Sequence, residues 1–337
     1  MKIVDKLNRS LRDLRISVMD RCNLRCTYCM PKEIFGTDYA FLPTDKLLTF
    51  EEIERIVSIF TSLGVEKIRL TGGEPLLRKE IPSLIQRILN ISGVKDLSLT
   101  TNGIHLGMLA KELKESGLKR INISLDSLNP IIYGKMNGKN FPVSRVLHSI
   151  EEAASVGLKI KINMVIQNGI NDLEIIPMAK YCFEKGYTLR FIEFMDVGNT
   201  NGWKFDQVYP NKKILETLNQ MMPLEPIEPD YRGEVAERYR YKGTNQEVGF
   251  ISSVTHAFCS DCNRARISAD GKLFTCLFAS NGFDIQSLLR NENLEDEDIK
   301  SELYNIWNNR TDRYSEIRNE VSKLSNKKKI EMSYIGG

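Results

Sequence analysis

LRISVMDRCNLRCTYCM, residues 14–30, joins an alternating strand pattern to three closely spaced cysteines. Alternate residues of a strand share a face, so Ile16 and Val18 lie on one side and Arg15 and Ser17 on the other. Cys22, Cys26 and Cys29 follow with the spacing C-x3-C-x2-C. Thiolates so spaced suit zinc and iron–sulfur clusters alike. A closed zinc site needs four protein ligands. No fourth cysteine or histidine sits nearby, the histidines being His105, His148 and His256. A cubic [4Fe–4S] cluster on three cysteines instead leaves one iron open to a small molecule.

The strand is the first of a series. KIRLTG (67–72), DLSLTT (96–101), RINISLD (120–126), KIKINMVI (159–166) and LRFIEFM (189–195) alternate with helical stretches, several ending in glycine. Strands separated by single helices predict a parallel sheet. Six units are too few for a complete eight-stranded barrel, so an open, partial (β/α)6 barrel of TIM type is expected. One face is apolar: Ile68 and Leu70, Leu97 and Leu99, Ile121 and Ile123, Ile160 and Ile162. The other carries Arg15, Lys67, Arg69, Thr71, Ser98, Thr100, Asn102, Asn122, Ser124, Asp126, Lys161 and Asn163. Buried unpaired charge is costly. This face therefore lines a lumen holding water or an anion, unless it lies open to solvent on a one-sided sheet.

After residue 200 the rhythm ends. A proline-rich stretch (209–233) reads as a linker or crossing segment. Asp270-Gly271 marks a hairpin turn between two strand-like runs, and residues 290–300 read as a solvated helix start. A second group, Cys259, Cys262 and Cys276, is spaced C-x2-C-x13-C, with Arg264 and Arg266 between its members. His256 could complete a zinc site there. Alternatively, arginine forks beside an open cluster suit a phosphate-bearing ligand. The division expected is a barrel over residues 1–200 and a cluster-binding extension over 201–337.

The chain has 337 residues and a formal net charge of +3, which gives no bulk argument for nucleic-acid binding. No apolar run reaches membrane-span length, and the N-terminus lacks a secretory pattern. A cytoplasmic location is expected, where thiols stay reduced. That favours metal or cluster binding for six of the seven cysteines. Cys182 reads as a buried small hydrophobe, and Trp203 and Trp307 as packing residues.

CNLRCTYCMP (22–31) resembles the signature of the radical S-adenosylmethionine (SAM) superfamily, and TGGEP (71–75) its SAM-binding turn. With KIRLTGGEPLLR (67–78), LTTNG (99–103), NISLDSL (122–128), RFIEFMDVG (190–198), CSDCNRARISADGKLFTC (259–276) and the terminal Gly336-Gly337, nearly the whole chain resembles the GTP 3′,8-cyclase family of molybdenum-cofactor biosynthesis. The resemblance implies two [4Fe–4S] clusters, one on Cys22, Cys26 and Cys29 and one on Cys259, Cys262 and Cys276. It implies SAM contacts from Tyr28, Gly73, Ser124 and Met195. It implies GTP contacts from Arg15, Arg69, Thr100, Lys161, Arg264 and Arg266, with Lys67 assisting, and a Gly336-Gly337 tail reaching into the pocket. An external electron donor and the next pathway enzyme, cyclic pyranopterin monophosphate synthase, are the implied partners, and a homodimer is compatible with it. A radical SAM peptide-maturation enzyme with an auxiliary cluster and a zinc-binding interaction module are the rival readings. The first commonly carries more C-terminal cysteines; the second leaves GGEP and the basic lumen unexplained.

Overall fold

The computed structural model describes residues 3–318 and 329–336. Strands β1 (Asp13–Ser17), β2 (Lys67–Thr71), β3 (Asp96–Thr101), β4 (Arg120–Ser124), β5 (Lys159–Ile166) and β6 (Thr188–Glu193) lie side by side in chain order, each pair parallel. Helices α1 (Phe50–Ser62), α2 (Ile81–Leu89), α3 (Leu106–Glu115), α4 (Pro130–Met136), α5 (Val143–Ser155) and α6 (Ile175–Lys185) connect them. The apolar face expected from alternation forms the core beneath these helices; Ile16, Leu70, Leu99, Ile123 and Ile162 are fully enclosed. Helix α4 is the element that alternation did not reveal. Its start is nonetheless chemical: the Asn129 side chain accepts from Ile131 and Ile132 N–H, and Pro130 occupies the first turn.

The C-terminal region completes the sheet from both sides. Strand β9 (Glu247–Ile251) pairs parallel with β6, and β10 (Arg264–Ile267) pairs parallel with β1. Eight parallel strands result. The two flanks do not close on each other. Beyond β9 run the antiparallel β8 (Glu237–Tyr241) and β7 (Leu224–Ile227); beyond β10 run β11 (Lys272–Phe274) and β12 (Phe283–Asp284). The barrel is therefore open, as expected, and strands from either side of residue 200 share one sheet. Asp270-Gly271 makes the β10–β11 hairpin turn, with Gly271 at φ 77°.

The proline-rich stretch is more ordered than a linker. It contains α7 (Asn211–Met221) between Pro210 and Pro223, and then β7. Proline at a helix boundary and on an outermost strand loses no needed hydrogen bond, which is why Pro226 is tolerated there. Helix α8 (Ile285–Leu289) and helix α9 (Asp296–Asn308), with acidic residues in its first turn, follow. The short α10 (Met332–Ile335) ends the described chain. Cys182 and Trp307 are buried in the core, as expected. No helix of the described residues is long and apolar enough to cross a membrane.

Candidate active site between two cysteine triads

Strand register places three arginines in one row. Arg266 of β10 faces Arg15 of β1, which faces Arg69 of β2. Adjacent strands lie about 4.8 Å apart, and like charges directly opposite destabilise a sheet. Arg15 and Arg266 are buried and Arg69 is half-buried. Burial first, then Arg69 and Arg266, push the Arg15 pKa far down. Burial and Arg264 push Arg266 down to about 9. Burial, followed by Arg69 and Arg120, pushes Arg190 down to about 10. A guanidinium nevertheless stays charged, so an anion entering here would relieve this cost. The hydrogen bonding agrees: Arg15 Nε, Arg69 Nε, Arg264 Nε and Thr100 Oγ1 are buried and unpartnered.

These groups open onto a cavity of about 260 Å³. All six triad cysteines line it, together with Tyr28, Gly73, Ser124, Met195, Arg15, Arg69, Thr100, Arg264 and Arg266. Lys67, Lys161 and Gly336, also expected there, do not line it. Lys67 packs its ammonium 3.9 Å over the Tyr231 ring. Lys161 lies below the cavity, its pKa lowered to about 7 by burial and by Arg190 and Arg120. Both share the inner face but sit nearer the N-terminal ends of their strands than Arg69 and Thr71, or Asn163 and Val165, which line the cavity.

The first triad is held by the β2 turn. Gly73 N–H donates to Met19 O at 2.7 Å, and Glu74 N–H to Arg21 O at 2.8 Å. A Cβ on Gly73 would collide with the carbonyls of Arg21 and Asp20. The close approach that glycine permits here is therefore to the chain's own cysteine loop. Glu74 is buried and accepts from Thr101 Oγ1 at 2.7 Å, Asn102 N–H at 2.8 Å and Leu76 N–H at 3.0 Å. Its carboxylate ties β2 to β3 and does not line the cavity. Tyr28 donates to Asp126 Oδ2 at 2.7 Å, and burial raises Asp126 to about 6. Burial, followed by Glu74, pushes the Cys22 thiol up to about 11.

The second triad has a different environment. Burial pushes Cys276 up to about 12. At Cys262 the cations Arg264 and Arg310 outweigh burial and draw the thiol down to about 6. His256 is exposed and pairs with Glu237 at 3.2 Å, not with the triad. Among the described residues no three His, Cys, Asp or Glu side chains close on a single-ion site; the thiols line a shared wall instead. The tail reaches this wall. Arg266 Nη1 donates to the Gly336 carbonyl, Tyr334 donates to Asp270 at 2.6 Å, and a Cβ on Gly336 would strike Thr71. Gly337 lies outside the described residues.

Sequence reading missed Arg190, Arg9 and Arg310, and placed Asp126 on the lumen face without giving it a partner. Carrying the alternation into LRFIEFM marks Arg190, because Arg190 and Ile192 line the cavity while Leu189 and Phe191 are core. Nothing local marks Arg9 or Arg310.

The chain matches the Radical SAM superfamily model over residues 16–182 and the Molybdenum Cofactor Synthesis C model over residues 187–316. It is 50% identical over 337 residues to a GTP 3′,8-cyclase of Staphylococcus epidermidis, with 99% of each chain covered. It is 48% identical over 338 residues to that of Staphylococcus saprophyticus, covering 100% of this chain and 99% of the relative. This chain belongs to the GTP 3′,8-cyclase family. Its fold is similar to that of Streptococcus suis SuiB bound to S-adenosylmethionine, at a TM-score of 0.59 and 15% identity, covering 94% of this chain and 68% of that one. As a radical SAM enzyme, this cyclase-family member uses SAM and an iron–sulfur cluster. Three thiols facing a cavity, with no fourth protein ligand among the described residues, fit a cluster with one open iron.

Replacing Gly73 by alanine tests the turn. Gly73→Ala should displace the cysteine loop, lowering both thermal stability and iron content. Unchanged iron content and melting temperature would show that the contact with Arg21 and Asp20 is dispensable.

Proposed function

We propose that this cavity is where GTP becomes (8S)-3′,8-cyclo-7,8-dihydroguanosine 5′-triphosphate, the first step of molybdenum-cofactor biosynthesis. One observation carries the site assignment: an arginine row with too little acidic charge to balance it opens into one cavity that both cysteine triads line. Cys22, Cys26 and Cys29 would hold the [4Fe–4S] cluster that takes SAM, and Cys259, Cys262 and Cys276 would hold a second one facing the substrate. With SAM bound, the cluster on Cys22, Cys26 and Cys29 would supply radical chemistry at the ribose of GTP, and the polar strand residues around it would hold that ribose in place. Tyr28, Gly73, Ser124 and Met195 orient SAM. Arg15, Arg69, Arg266 and Arg190 hold the triphosphate, Thr100 and Arg264 assist, and Lys161 and Lys67 extend the positive field from below. Leu24, Val197 and Ile251 add apolar lining, which would limit water around a reactive intermediate. The barrel (1–200) and the extension (201–337) thus each supply one triad. An external reductant, cyclic pyranopterin monophosphate synthase as product acceptor, and a cytoplasmic location complete the reading. Anaerobic reconstitution with reductant, SAM and GTP, followed by mass analysis, tests it; 5′-deoxyadenosine without the cyclised nucleotide would reject the substrate assignment.

Two expectations follow from the electrostatics and the tail. Lys161, with a pKa of about 7 when GTP is absent, is mostly neutral at pH 8. A bound triphosphate favours its ammonium form, so binding takes up a proton above pH 7. GTP affinity should weaken as pH rises above 7, by up to about tenfold per unit, and Lys161→Met should flatten that slope. Calorimetry in buffers of different ionisation enthalpy reads the proton uptake directly. Deleting Gly336 and Gly337 removes the Arg266 partner without removing a cluster ligand. Cyclised product per loaded enzyme should fall about tenfold to a hundredfold, with iron content and melting temperature kept; full activity would exclude a role for the tail.

A further inference from the structure

The two triads differ in what stands behind their sulfurs. Arg310, just past α9, has a side chain only 1% exposed. Its Nη1 donates to Cys262 O at 2.7 Å, and its Nη2 lies 3.4 Å from Cys262 Sγ. Asp312 accepts from its Nε at 3.2 Å, Asp5 lies 3.5 Å away, and the Trp307 ring packs 4.6 Å beneath it. These contacts fix the guanidinium plane, leaving one edge toward the sulfur. Arg9 braces the other cysteine of the loop, donating to Cys259 O and Asp312 O, each at 2.7 Å. At the first triad the Cys22 sulfur meets neutral donors only: Leu24 N–H at 3.4 Å and the Asn102 amide at 3.7 Å. Arg25 there donates to the Cys22 and Leu24 carbonyls.

We propose that Arg310 is a positioning residue for the second triad and sets its redox poise, making the cluster there easier to reduce than the one on the first triad. This rests on the reading that each triad carries a [4Fe–4S] cluster. Hydrogen bonds to cluster sulfurs and nearby charge set such potentials. Reduction adds one electron from an external donor and makes or breaks no bond. A fixed cation at the sulfur favours the added negative charge, and at low effective dielectric that attraction is strong.

The test isolates each triad. One protein carries Cys22, Cys26 and Cys29 all replaced by Ala; another carries Cys259, Cys262 and Cys276 all replaced by Ala. Both are reconstituted with iron and sulfide and titrated with dithionite under electron paramagnetic resonance. The second triad should show the higher midpoint. In that background Arg310→Met should lower the reduction equilibrium constant at least tenfold, about 59 mV for a one-electron couple. Arg310→Lys, which keeps the charge but loses the fork, should fall by less. A loaded Arg310→Met cluster at the parent's midpoint would overturn the proposal. So would loss of iron from both Arg310 variants, which would make the residue merely structural. A protein with only the second triad that binds no iron would instead overturn the two-cluster reading beneath it.

Discussion

Arg266, Arg15 and Arg69 cross three neighbouring parallel strands at one level, without a carboxylate between them. A barrel core filled with branched aliphatics would need no such row. Its presence forces the lumen to stay polar and open, and an open lumen is compatible with strands that never close into a full ring. The antiparallel flanks then protect what would otherwise be exposed edges. The charge therefore selects the architecture as much as the site. Asp13 is the acidic residue on β1 nearest the row, and it offsets part of the repulsion felt by Arg15, Arg69 and Arg266. The remainder awaits an anion.

The cysteines are placed by the same frame. The Cys22 loop leaves β1 and is clasped by the Gly72-Gly73-Glu74 turn leaving β2. The Cys259–Cys262 turn leads directly into β10, which lies against the other side of β1. Strand β1 is thus the shared wall between the two triads, and both face one cavity because both are hung from its neighbours. Residues 329–336 pack against this arrangement. Lys329 donates to Asp196 at 2.8 Å, Ile330 N–H to Ala279 O at 3.0 Å, and the Gly336 carbonyl caps Arg266.

Much of this was legible in the sequence, for a physical reason. A period of two is a strong signal when one face is buried and the other polar, so the inner residues of β1 to β5 could be named before their partners were known. Cysteine spacing is equally local. What stayed hidden depends on long-range pairing. No local pattern says that β10 joins β1, and without that pairing Arg266 reads as a neighbour of the second triad but not as a member of the Arg15 row. Arg310 lies 48 residues from Cys262, and only the packing of α9 brings them together. Lys67 and Lys161 show the opposite limit: alternation gives the face of a strand but not the height at which a cavity opens. Glu74 shows another, because a motif fixed the turn while the structure gave its carboxylate to β3.

The account turns on an anion balancing the arginine row, and thermal unfolding with two ligands tests that most directly. A ligand at a hundred times its dissociation constant stabilises the folded state by about 2.7 kcal/mol. GTP should raise the unfolding midpoint clearly, whereas guanosine, which offers the same base and ribose without phosphates, should raise it little at equal concentration. A guanosine shift equal to that of GTP would show that the row does not hold the triphosphate, and would contradict the account.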